Sequence, residues 1–259
     1  MSSKSLLDIR EYITENSEIP EFFKEYADIQ EDSLVSKAFE VYTKALEIHH
    51  YRCLSTFKFL LPRITSNPYY NEIKNQSINK KILDIGCALG TDLRKINLDG
   101  VPQNYLYGLD IEKGFVNLGY DLFNDKDTNK MTFIIGDILK KSFIQQMNLQ
   151  SNFDIVYSSS VIHLLDNQQV KQFLSNINTI LNENGTFFGQ TTGLPEPQEI
   201  IEASGRQYFL HSGDSLKAEL KKIGFIDIKI QVQKRESSSE KEKIIHYSNR
   251  DIIYFKCQK

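Results

Sequence analysis

The sequence lacks tryptophan, holds only three cysteines and has only a small surplus of negative charge. Cys53, Cys87 and Cys257 lie far apart, without the paired spacing of a zinc site, and their odd number argues against a disulfide framework. This use of cysteine fits a reducing, intracellular compartment. The 31 basic and 34 acidic residues leave a net charge of −3, so the chain has no excess of the Lys and Arg side chains on which nucleic-acid binding rests. We therefore expect neither a nucleic-acid partner nor a metal site.

Long apolar runs are missing as well. No run approaches the roughly 18 residues that a membrane span requires, and the polar start MSSKSLLDIREY has no apolar signal core. We expect a cytoplasmic protein without a membrane span. The remaining composition is 40% hydrophobic and 25% charged, which is ordinary for a globular protein, and 259 residues suffice for one large α/β domain or two smaller ones.

Residues 1–78 have the periodicity of helices. Within residues 33–46, apolar side chains recur at the spacing that places them on one helix face, at positions 34, 35, 38, 41, 42, 45 and 46. Asp32 or Ser33 is a candidate N-cap for this helix. We expect residues 1–78 to form a helical N-terminal cap or lid.

From residue 80 onward, short apolar runs alternate with amphipathic segments. The runs predict strands near 81–85, 105–110, 131–136, 153–158, 185–191, 225–232 and 244–256. The segments between them predict helices near 91–97, 112–123, 138–148, 166–182 and 213–223. This alternation is typical of a mostly parallel sheet with helices on both faces. The last two strands are separated only by the charged residues 234–243, which predicts an antiparallel hairpin at the end of the domain that spans residues 79–259.

Carboxylates follow three consecutive predicted strands. Asp84, Asp110 and Asp137 each come at or just after the end of a strand. Ligands of open parallel sheets bind outside the carboxyl ends of the strands, so we expect the three acids to face one crevice. Asp110 is suited to accept hydrogen bonds from a ribose diol, and Asp137 with Ile138 is suited to hold the edge and face of an adenine. The alternative for each acid is a helix N-cap, because a helical segment follows each of them.

The turn after the first predicted strand reads GCALG, from Gly86 to Gly90. It has neither the GxGxxG spacing of a dinucleotide site nor the Lys-Ser/Thr of a Walker loop. Asp92 lies in the first turn of the following helix, where its charge would repel a pyrophosphate. We therefore expect no phosphate at this turn. Ala88 takes the place of a middle glycine, and we expect its backbone to have a negative φ, at which alanine is not strained.

The stretch KILDIGCALG resembles motif I of the class I S-adenosylmethionine-dependent methyltransferases, an acidic residue followed by G-x-G-x-G. The resemblance implies a Rossmann-like fold and S-adenosylmethionine as cofactor, with S-adenosylhomocysteine as product and no metal. It also implies a set of cofactor-binding residues: Asp84, Gly86, Cys87, Ala88, Gly90, Asp110, Ile111, Asp137, Ile138 and Ser158. A terminal hairpin and a helix ending in Gly224-Phe225 are further landmarks of that family.

A narrower resemblance is to fungal-type methyltransferases of natural-product pathways, some of which methylate carboxyl groups of meroterpenoid intermediates. It is carried by DLRK at 92–95, DGVP at 99–102, LGYDLF at 118–123 and an aromatic-rich segment at 50–60. It implies a small-molecule acceptor methylated on a carboxylate or hydroxyl oxygen in secondary metabolism. Alternatives are N- or C-methylation of a small molecule and a catalytically inactive binding or regulatory protein. The chain is expected to be a monomer or a homodimer.

Two histidines are candidate bases, because the reference pKa of histidine suits proton abstraction near neutrality. His163 follows the fourth predicted strand and His211 follows the fifth. The alternatives are a histidine hydrogen-bonded within its loop for His163, and a helix-cap or surface residue for His211. Candidate substrate-binding residues are Arg52 and Arg206, which can bind a carboxylate bidentately, and Tyr51. Both arginines are alternatively exposed ion-pair partners.

Overall fold

A computed structural model describes residues 4–202, 205–234 and 250–259. The chain divides into two compact units, one formed by Met1–Arg63 with Cys87–Gly136 and the other by Ile64–Gly86 with Asp137–Lys259. Each unit draws on two separate stretches of sequence. The expected boundary between a cap over residues 1–78 and a domain over 79–259 stays a prediction.

The described residues contain ten α-helices and nine strands, and after the first five helices strands and helices alternate as far as the fifth strand. The helices are α1 (Leu6–Glu15), α2 (Glu18–Ala27), α3 (Glu31–Ile48), α4 (Arg52–Ser55), α5 (Tyr70–Lys74), α6 (Thr91–Leu98), α7 (Lys113–Phe123), α8 (Lys141–Gln146), α9 (Asn167–Ile180) and α10 (Gly213–Ile223). The strands are β1 (Ile82–Ile85), β2 (Leu106–Asp110), β3 (Thr132–Ile135), β4 (Phe153–Ser159), β5 (Leu181–Gly193), β6 (Gln198–Ile201), β7 (Gln207–Leu210), β8 (Ile226–Gln233) and β9 (Asp251–Gln258). Short 3₁₀ turns cover Lys58–Leu60, Arg63–Ser66, Gln103–Tyr105 and Ile162–Leu164.

Seven strands form one sheet in the order β3-β2-β1-β4-β5-β9-β8. The pairs β2–β3, β1–β4 and β4–β5 are parallel, whereas β9 runs antiparallel to both β5 and β8. This confirms the expected α/β fold with a mostly parallel sheet and a terminal antiparallel pair. Strand order reverses at β1, whose neighbour β4 follows β2 and β3 in the chain, and such a reversal is where open α/β sheets bind ligands.

Most predicted elements agree with the observed ones to within a few residues. The first six predicted strands match β1 to β5 and β8, and the seventh begins later than expected, because β9 starts at Asp251. The predicted strand residues 244–249 and most of the predicted loop at 234–243 lie outside the described residues. The hairpin of β6 and β7 was not predicted.

The N-terminal helices bury one apolar cluster within the first unit. Its residues come from α1, α2, α3 and the segment up to Leu60, together with Leu89 and the buried face of α7. This cluster includes five aliphatic residues at apolar positions predicted for α3, which confirms the predicted helical face. They are Leu34, Val35, Ala38, Val41 and Ala45. The predicted N-cap at Asp32 or Ser33 was wrong, because α3 begins at Glu31 after Gln30. Glu31 and Asp32 lie instead in the first turn, where negative charge is favourable to the helix dipole.

Candidate cofactor and acceptor site

The turn between β1 and α6 is held by backbone hydrogen bonds. Within the first unit, Cys87 N donates to Leu109 O at 3.2 Å and Gly90 N donates to Cys87 O at 2.7 Å. Gly90 is the N-cap of α6 and has a φ of 72°, a left-handed conformation that glycine adopts without strain. The buried Cys87 thiol faces Gly108, where an added Cβ would come within 2.8 Å of Sγ. Cys87 therefore packs against the neighbouring strand.

Ala88 has a φ of 47°, so the expectation of a negative φ was wrong. The reason is a tertiary hydrogen bond: Ala88 N donates to Asp110 Oδ2 at 2.8 Å. Holding an L-residue in the left-handed region costs about 1–2 kcal/mol. The turn accepts this strain at Ala88 and points its N–H at the acid that ends β2.

Asp110 is 8% exposed and uses both carboxylate oxygens. Oδ2 accepts from Ala88 N, and Oδ1 accepts from Glu112 N at 2.9 Å. Each oxygen has two lone pairs, so each keeps the capacity to accept one more hydrogen bond, which is what a ribose diol would need. Burial raises the pKa of Asp110, and the backbone N–H groups oppose this. The N-cap alternative was wrong for Asp110, because Glu112 is the N-cap of α7.

Ile111 follows Asp110 and is 57% exposed. This large apolar side chain, exposed directly after the acid that ends β2, is available to pack on a ring. Its assignment to the cofactor stays a prediction.

In the second unit, Asp84 is buried within β1, opposite Tyr157 of β4 in the parallel register. It is not a helix N-cap. Gly86 follows with a φ of 74°, and a Cβ built on it would overlap Val161 Cγ2. A side chain is therefore excluded at Gly86, because the Val161 side chain packs against its Cα. The hydroxyl of the buried Ser158 donates to Ile85 O at 3.3 Å, which ties the end of β4 to the end of β1.

Asp137 and Ile138 follow β3. Asp137 Oδ1 accepts from Leu139 N at 2.9 Å in a local turn, and Oδ2 lies 3.9 Å from Lys140 Nζ. The N-cap of α8 is Lys140, so the N-cap alternative was also wrong for Asp137. Ile138 is buried, and its carbonyl accepts from Asn176 Nδ2 of α9 at 2.7 Å. The pair is thus fixed by its own turn and by α9.

His163 is half-buried in the 3₁₀ turn after β4. Its backbone N donates to Thr191 Oγ1 at 3.2 Å, and its ring Nδ1 lies 3.3 Å from the same oxygen. This agrees with a histidine hydrogen-bonded within its loop, and it also fixes the orientation of the imidazole. Arg206 Nη2 donates to Leu164 O at 3.4 Å, so the exposed Arg206 lies beside the turn that carries His163.

His211 is 2% exposed, which excludes the surface alternative. Its Nδ1 lies 2.9 Å from Ser215 Oγ, and it directly precedes Ser212, the N-cap of α10. Its Nε2 is buried and has no hydrogen-bond partner in the part of the chain that the structure describes. Burial lowers the pKa of His211 to about 4, with Glu219 opposing the shift and Lys171 adding to it. The imidazole is therefore neutral near pH 7.

Within each unit, hydrogen bonds bring two of the predicted site residues or their segments together. Ala88 and Asp110 are bonded in the first unit, as are the His163 turn and Arg206 in the second. Tyr51 and the exposed Arg52 lie at the start of α4, where the Tyr51 ring is 4.0 Å from His49 and 5.8 Å from Phe115.

The burial of two polar residues was not predicted from the sequence. Arg94 is completely buried in α6, and Gln190 is buried near the end of β5, where its Nε2 donates to Ser159 Oγ at 3.2 Å. A polar residue in an amphipathic helix normally faces solvent, so nothing local marked Arg94 as buried. The one available signal of this burial was the position of Arg94, four residues after Gly90.

Among the residues that the structure describes, no group of three or more His, Cys, Asp or Glu side chains is arranged to hold a metal ion. Within the same residues, no helix is both long and apolar enough to cross a membrane.

Comparison with family models gives two matches. A methyltransferase domain matches residues 83–187, and a meroterpenoid methyltransferase N-terminal domain matches residues 8–60. Together they cover most of the turn, the parallel strands and the N-terminal helices.

Curated relatives are fungal methyltransferases. The O-methyltransferase phiE of a fungal species (strain ATCC 74256) is 35% identical over 56% of this chain and 49% of its own length. The asnovolin E/chermesin D methyltransferase nvfJ of Aspergillus novofumigatus is 36% identical over 55% of this chain and 52% of its own length. The chain thus spans about half the length of these two relatives. Methyltransferase ausD of Penicillium brasilianum is 30% identical over 84% of this chain and 80% of its own length.

Solved structures share the fold. The phosphoethanolamine N-methyltransferase 2 of Haemonchus contortus, in complex with S-adenosyl-L-methionine, has a TM-score of 0.54 at 17% identity, over 70% of this chain and 49% of that one. The 1,6-didemethyltoxoflavin-N1-methyltransferase of Burkholderia thailandensis has a TM-score of 0.57 at 12% identity, over 88% of this chain and 89% of that one. The two domain matches, together with the similarity to ausD over 84% of this chain and 80% of that relative, show the family: the chain belongs to the S-adenosylmethionine-dependent methyltransferases, in the natural-product group that includes these fungal relatives.

Proposed function

We propose that the protein transfers the methyl group of S-adenosylmethionine to an oxygen of a small-molecule acceptor, a carboxylate or a hydroxyl, in secondary metabolism. The observation that carries the proposal is the carboxylate of Asp110 at the end of β2, bound to Ala88 N and Glu112 N with capacity left on both oxygens. When bound, the cofactor supplies an electrophilic methyl group on a sulfonium. The chain's own residues bind, orient and, for some acceptors, deprotonate.

The described residues fit this cofactor. Asp110 would accept the ribose hydroxyls, and Asp137 with Ile138 would hold the adenine. Gly86, which has no side chain of its own and a φ of 74°, would let the backbone approach the amino-acid end. None of these roles needs a phosphate cradle, which agrees with Asp92 at the start of α6.

For a hydroxyl acceptor we assign the general base to His163. Thr191 Oγ1 meets both the backbone N and the ring Nδ1 of His163, so the imidazole is oriented before substrate arrives. A carboxylate acceptor is already ionised near neutrality and needs no base. The two acceptor classes therefore place different demands on the same residue.

Arg206 is our candidate for binding an acceptor carboxylate, because it hydrogen-bonds the carbonyl of Leu164, next to His163. Tyr51 and Arg52 stay further candidates for acceptor binding. His211 is not our choice of base, since burial lowers its pKa to about 4 and a group with that pKa is a weak base near neutrality. Its partnerless Nε2 is better suited to hydrogen-bond a polar group of the acceptor.

The proposal also includes the finer features of the protein's biology. We place it in the cytoplasm, as a monomer or a homodimer, with residues 1–78 as a cap on the acceptor side. The odd number of three separated cysteines supports a reducing compartment.

The test is a product assay with deuterated-methyl S-adenosylmethionine and paired acceptors, each phenol matched to the benzoic acid of the same ring. Transfer of the labelled methyl to oxygen, detected by mass spectrometry, is the expected result, and alkaline hydrolysis separates esters from ethers. Cofactor binding without transfer to any oxygen acceptor would contradict the proposal and favour an inactive binding protein. Label on nitrogen or carbon would contradict the choice of oxygen.

His163→Gln separates the role of the base from that of the fold. General-base catalysis contributes about 10²–10⁴-fold, so we expect kcat to fall by that order with phenols and to change little with the matched benzoates. His50→Gln is the control, because His50 is a solvent-exposed histidine. An equal loss with both acceptor classes would refute the assignment of His163 as a base.

A further inference from the structure

Arg94 is 0% exposed, which is rare for an arginine. Its charge is matched by Asp125 in a bidentate ion pair, with Nε 2.9 Å from Oδ2 and Nη2 2.9 Å from Oδ1. The cation also lies 4.2 Å above the centre of the Phe123 ring. Such planar, two-point pairing fixes the orientation of the guanidinium as well as its position.

The remaining nitrogen of Arg94 binds the cofactor turn. Nη1 donates to Leu89 O at 2.7 Å and to Gly90 O at 3.1 Å, the last two carbonyls of the turn. Leu89 O is also closed in from α7, where a Cβ built on Gly119 would overlap it. The end of the turn is therefore held from two sides.

Asp125 is held in turn by the N-terminal helices. Its Oδ2 accepts from Tyr26 Oη of α2 at 3.0 Å and from Asn129 Nδ2 at 2.7 Å. Phe23 of α2 stacks on Phe123 with ring centres 4.7 Å apart. A chain of contacts thus runs from α2 through Asp125 and Arg94 to the carbonyls of the turn.

A second hydrogen bond joins α6 to the N-terminal segment. Thr91 Oγ1, in the first turn of α6, donates to Phe59 O of the N-terminal segment at 2.8 Å. In the middle of the turn, Ala88 N donates to Asp110 Oδ2. The carbonyls that Arg94 binds therefore belong to the two residues that directly follow the N–H bound to Asp110.

We propose that Arg94 and Asp125, supported by Tyr26, are positioning residues that set the cofactor affinity of the turn, so that the N-terminal helices are part of the cofactor site and not only a cover. This inference rests on the proposed function, since it requires S-adenosylmethionine to bind at that turn. It differs from a purely structural role in one measurable respect. Substitution of these residues must change the free energy of cofactor binding more than it changes the free energy of unfolding.

The test compares Arg94→Lys, Asp125→Asn and Tyr26→Phe by calorimetric titration with S-adenosylhomocysteine, well below each Tm. Lysine keeps the charge but cannot bind a carboxylate and two carbonyls in one plane. We expect the Kd of Arg94→Lys and Asp125→Asn to rise at least tenfold, and that of Tyr26→Phe by a few-fold. For acceptors that are methylated, KM for the cofactor should rise while kcat at saturating cofactor stays close to that of the wild type.

Ile13→Ala is the matched control, because Ile13 is a buried residue of α1 that touches neither the ion pair nor the turn through a hydrogen bond. It should lower Tm without changing Kd. If Arg94→Lys fails to fold, Tyr26→Phe alone decides, since it removes a single hydroxyl. An unchanged Kd in the folded variants, with only Tm lowered, would overturn the inference while leaving the proposed function intact. Failure of the wild type to bind S-adenosylhomocysteine would instead refute the proposed function.

Discussion

The buried imidazole of His211 makes the stability of the protein depend on pH. Its folded-state pKa is about 4, against about 6.5 in an unfolded chain. Between these values the unfolded chain binds a proton that the folded chain does not. Stability contributed by the neutral imidazole is therefore complete above about pH 6.5 and is lost as the pH falls towards 4.

The magnitude follows from the two pKa values. The full difference corresponds to about 3 kcal/mol, of which about 2 kcal/mol is lost by about pH 5. The perturbation that isolates it is His211→Asn, because the side-chain amide can keep a hydrogen bond to Ser215 Oγ but does not titrate. The cavity left by the smaller side chain lowers stability at every pH, so the slope with pH, not the absolute value, is the readout.

The assay is urea unfolding from about pH 7.5 to about pH 5, with the free energy of unfolding extrapolated to water. We expect the wild type to lose about 2 kcal/mol more than His211→Asn over this interval. His50→Asn, at a solvent-exposed position, controls for the removal of an imidazole. Equal losses in the wild type and His211→Asn would refute the view that His211 is held neutral by burial.

Three further predictions concern the turn and its acid. Gly86→Ala should lower the free energy of unfolding by about 1–3 kcal/mol in urea titrations, because it combines a φ of 74° with a clash against Val161, and adding Val161→Ala should restore part of the loss; no recovery would contradict the clash. Ala88→Gly removes about 1–2 kcal/mol of left-handed strain and adds about 0.4–1 kcal/mol of unfolded-state entropy, so stability in the same assay should rise by up to about 1 kcal/mol, and a clear loss would argue against strain at φ 47°. Cofactor affinity measured by calorimetry should weaken on acidification, because a protonated Asp110 carboxyl loses acceptor capacity. The loss should begin at a pH above the ordinary range for aspartate, since burial raises the pKa of Asp110. An affinity that does not change with pH would be inconsistent with ionised Asp110 as the ribose ligand.

The parallel core was predictable because its signals are local. The strand ILDI and the runs that became β2, β3 and β4 are short and largely apolar, and the helices between them have one apolar face. The hairpin of β6 and β7 was missed for the opposite reason. Residues of β6 are exposed or half-exposed, so the strand carries no alternation of buried and exposed side chains.

The placement of Asp110 at the end of β2 and of Asp137 just after β3 was also predictable, since it follows from the ends of short apolar runs. The conformation of Ala88 was not. It depends on a hydrogen bond to Asp110, 22 residues further along the chain. A local rule for alanine gave the wrong sign of φ because it contained no term for that partner.

The burial of Arg94 was hidden in the same way. Its partner Asp125 lies 31 residues away, beyond β2 and α7, and the third member, Tyr26, precedes both. Each of the three residues is of a type that usually reaches solvent, and only the folded chain brings them together. Long-range polar pairing is the part of this site that patterns of neighbouring residues do not encode.

The most direct test of the central claim, that Asp110 at the end of β2 holds S-adenosylmethionine, is calorimetric titration of the protein with S-adenosylhomocysteine. Hydrogen bonds to a charged group contribute about 1.5–3 kcal/mol each, so Asp110→Ala should weaken binding by at least about tenfold. Asp121→Ala, at an exposed aspartate of α7, should bind like the wild type. Saturable binding by the wild type, lost in Asp110→Ala and kept in Asp121→Ala, is the predicted result; undiminished binding by Asp110→Ala, or none by the wild type, would contradict the account.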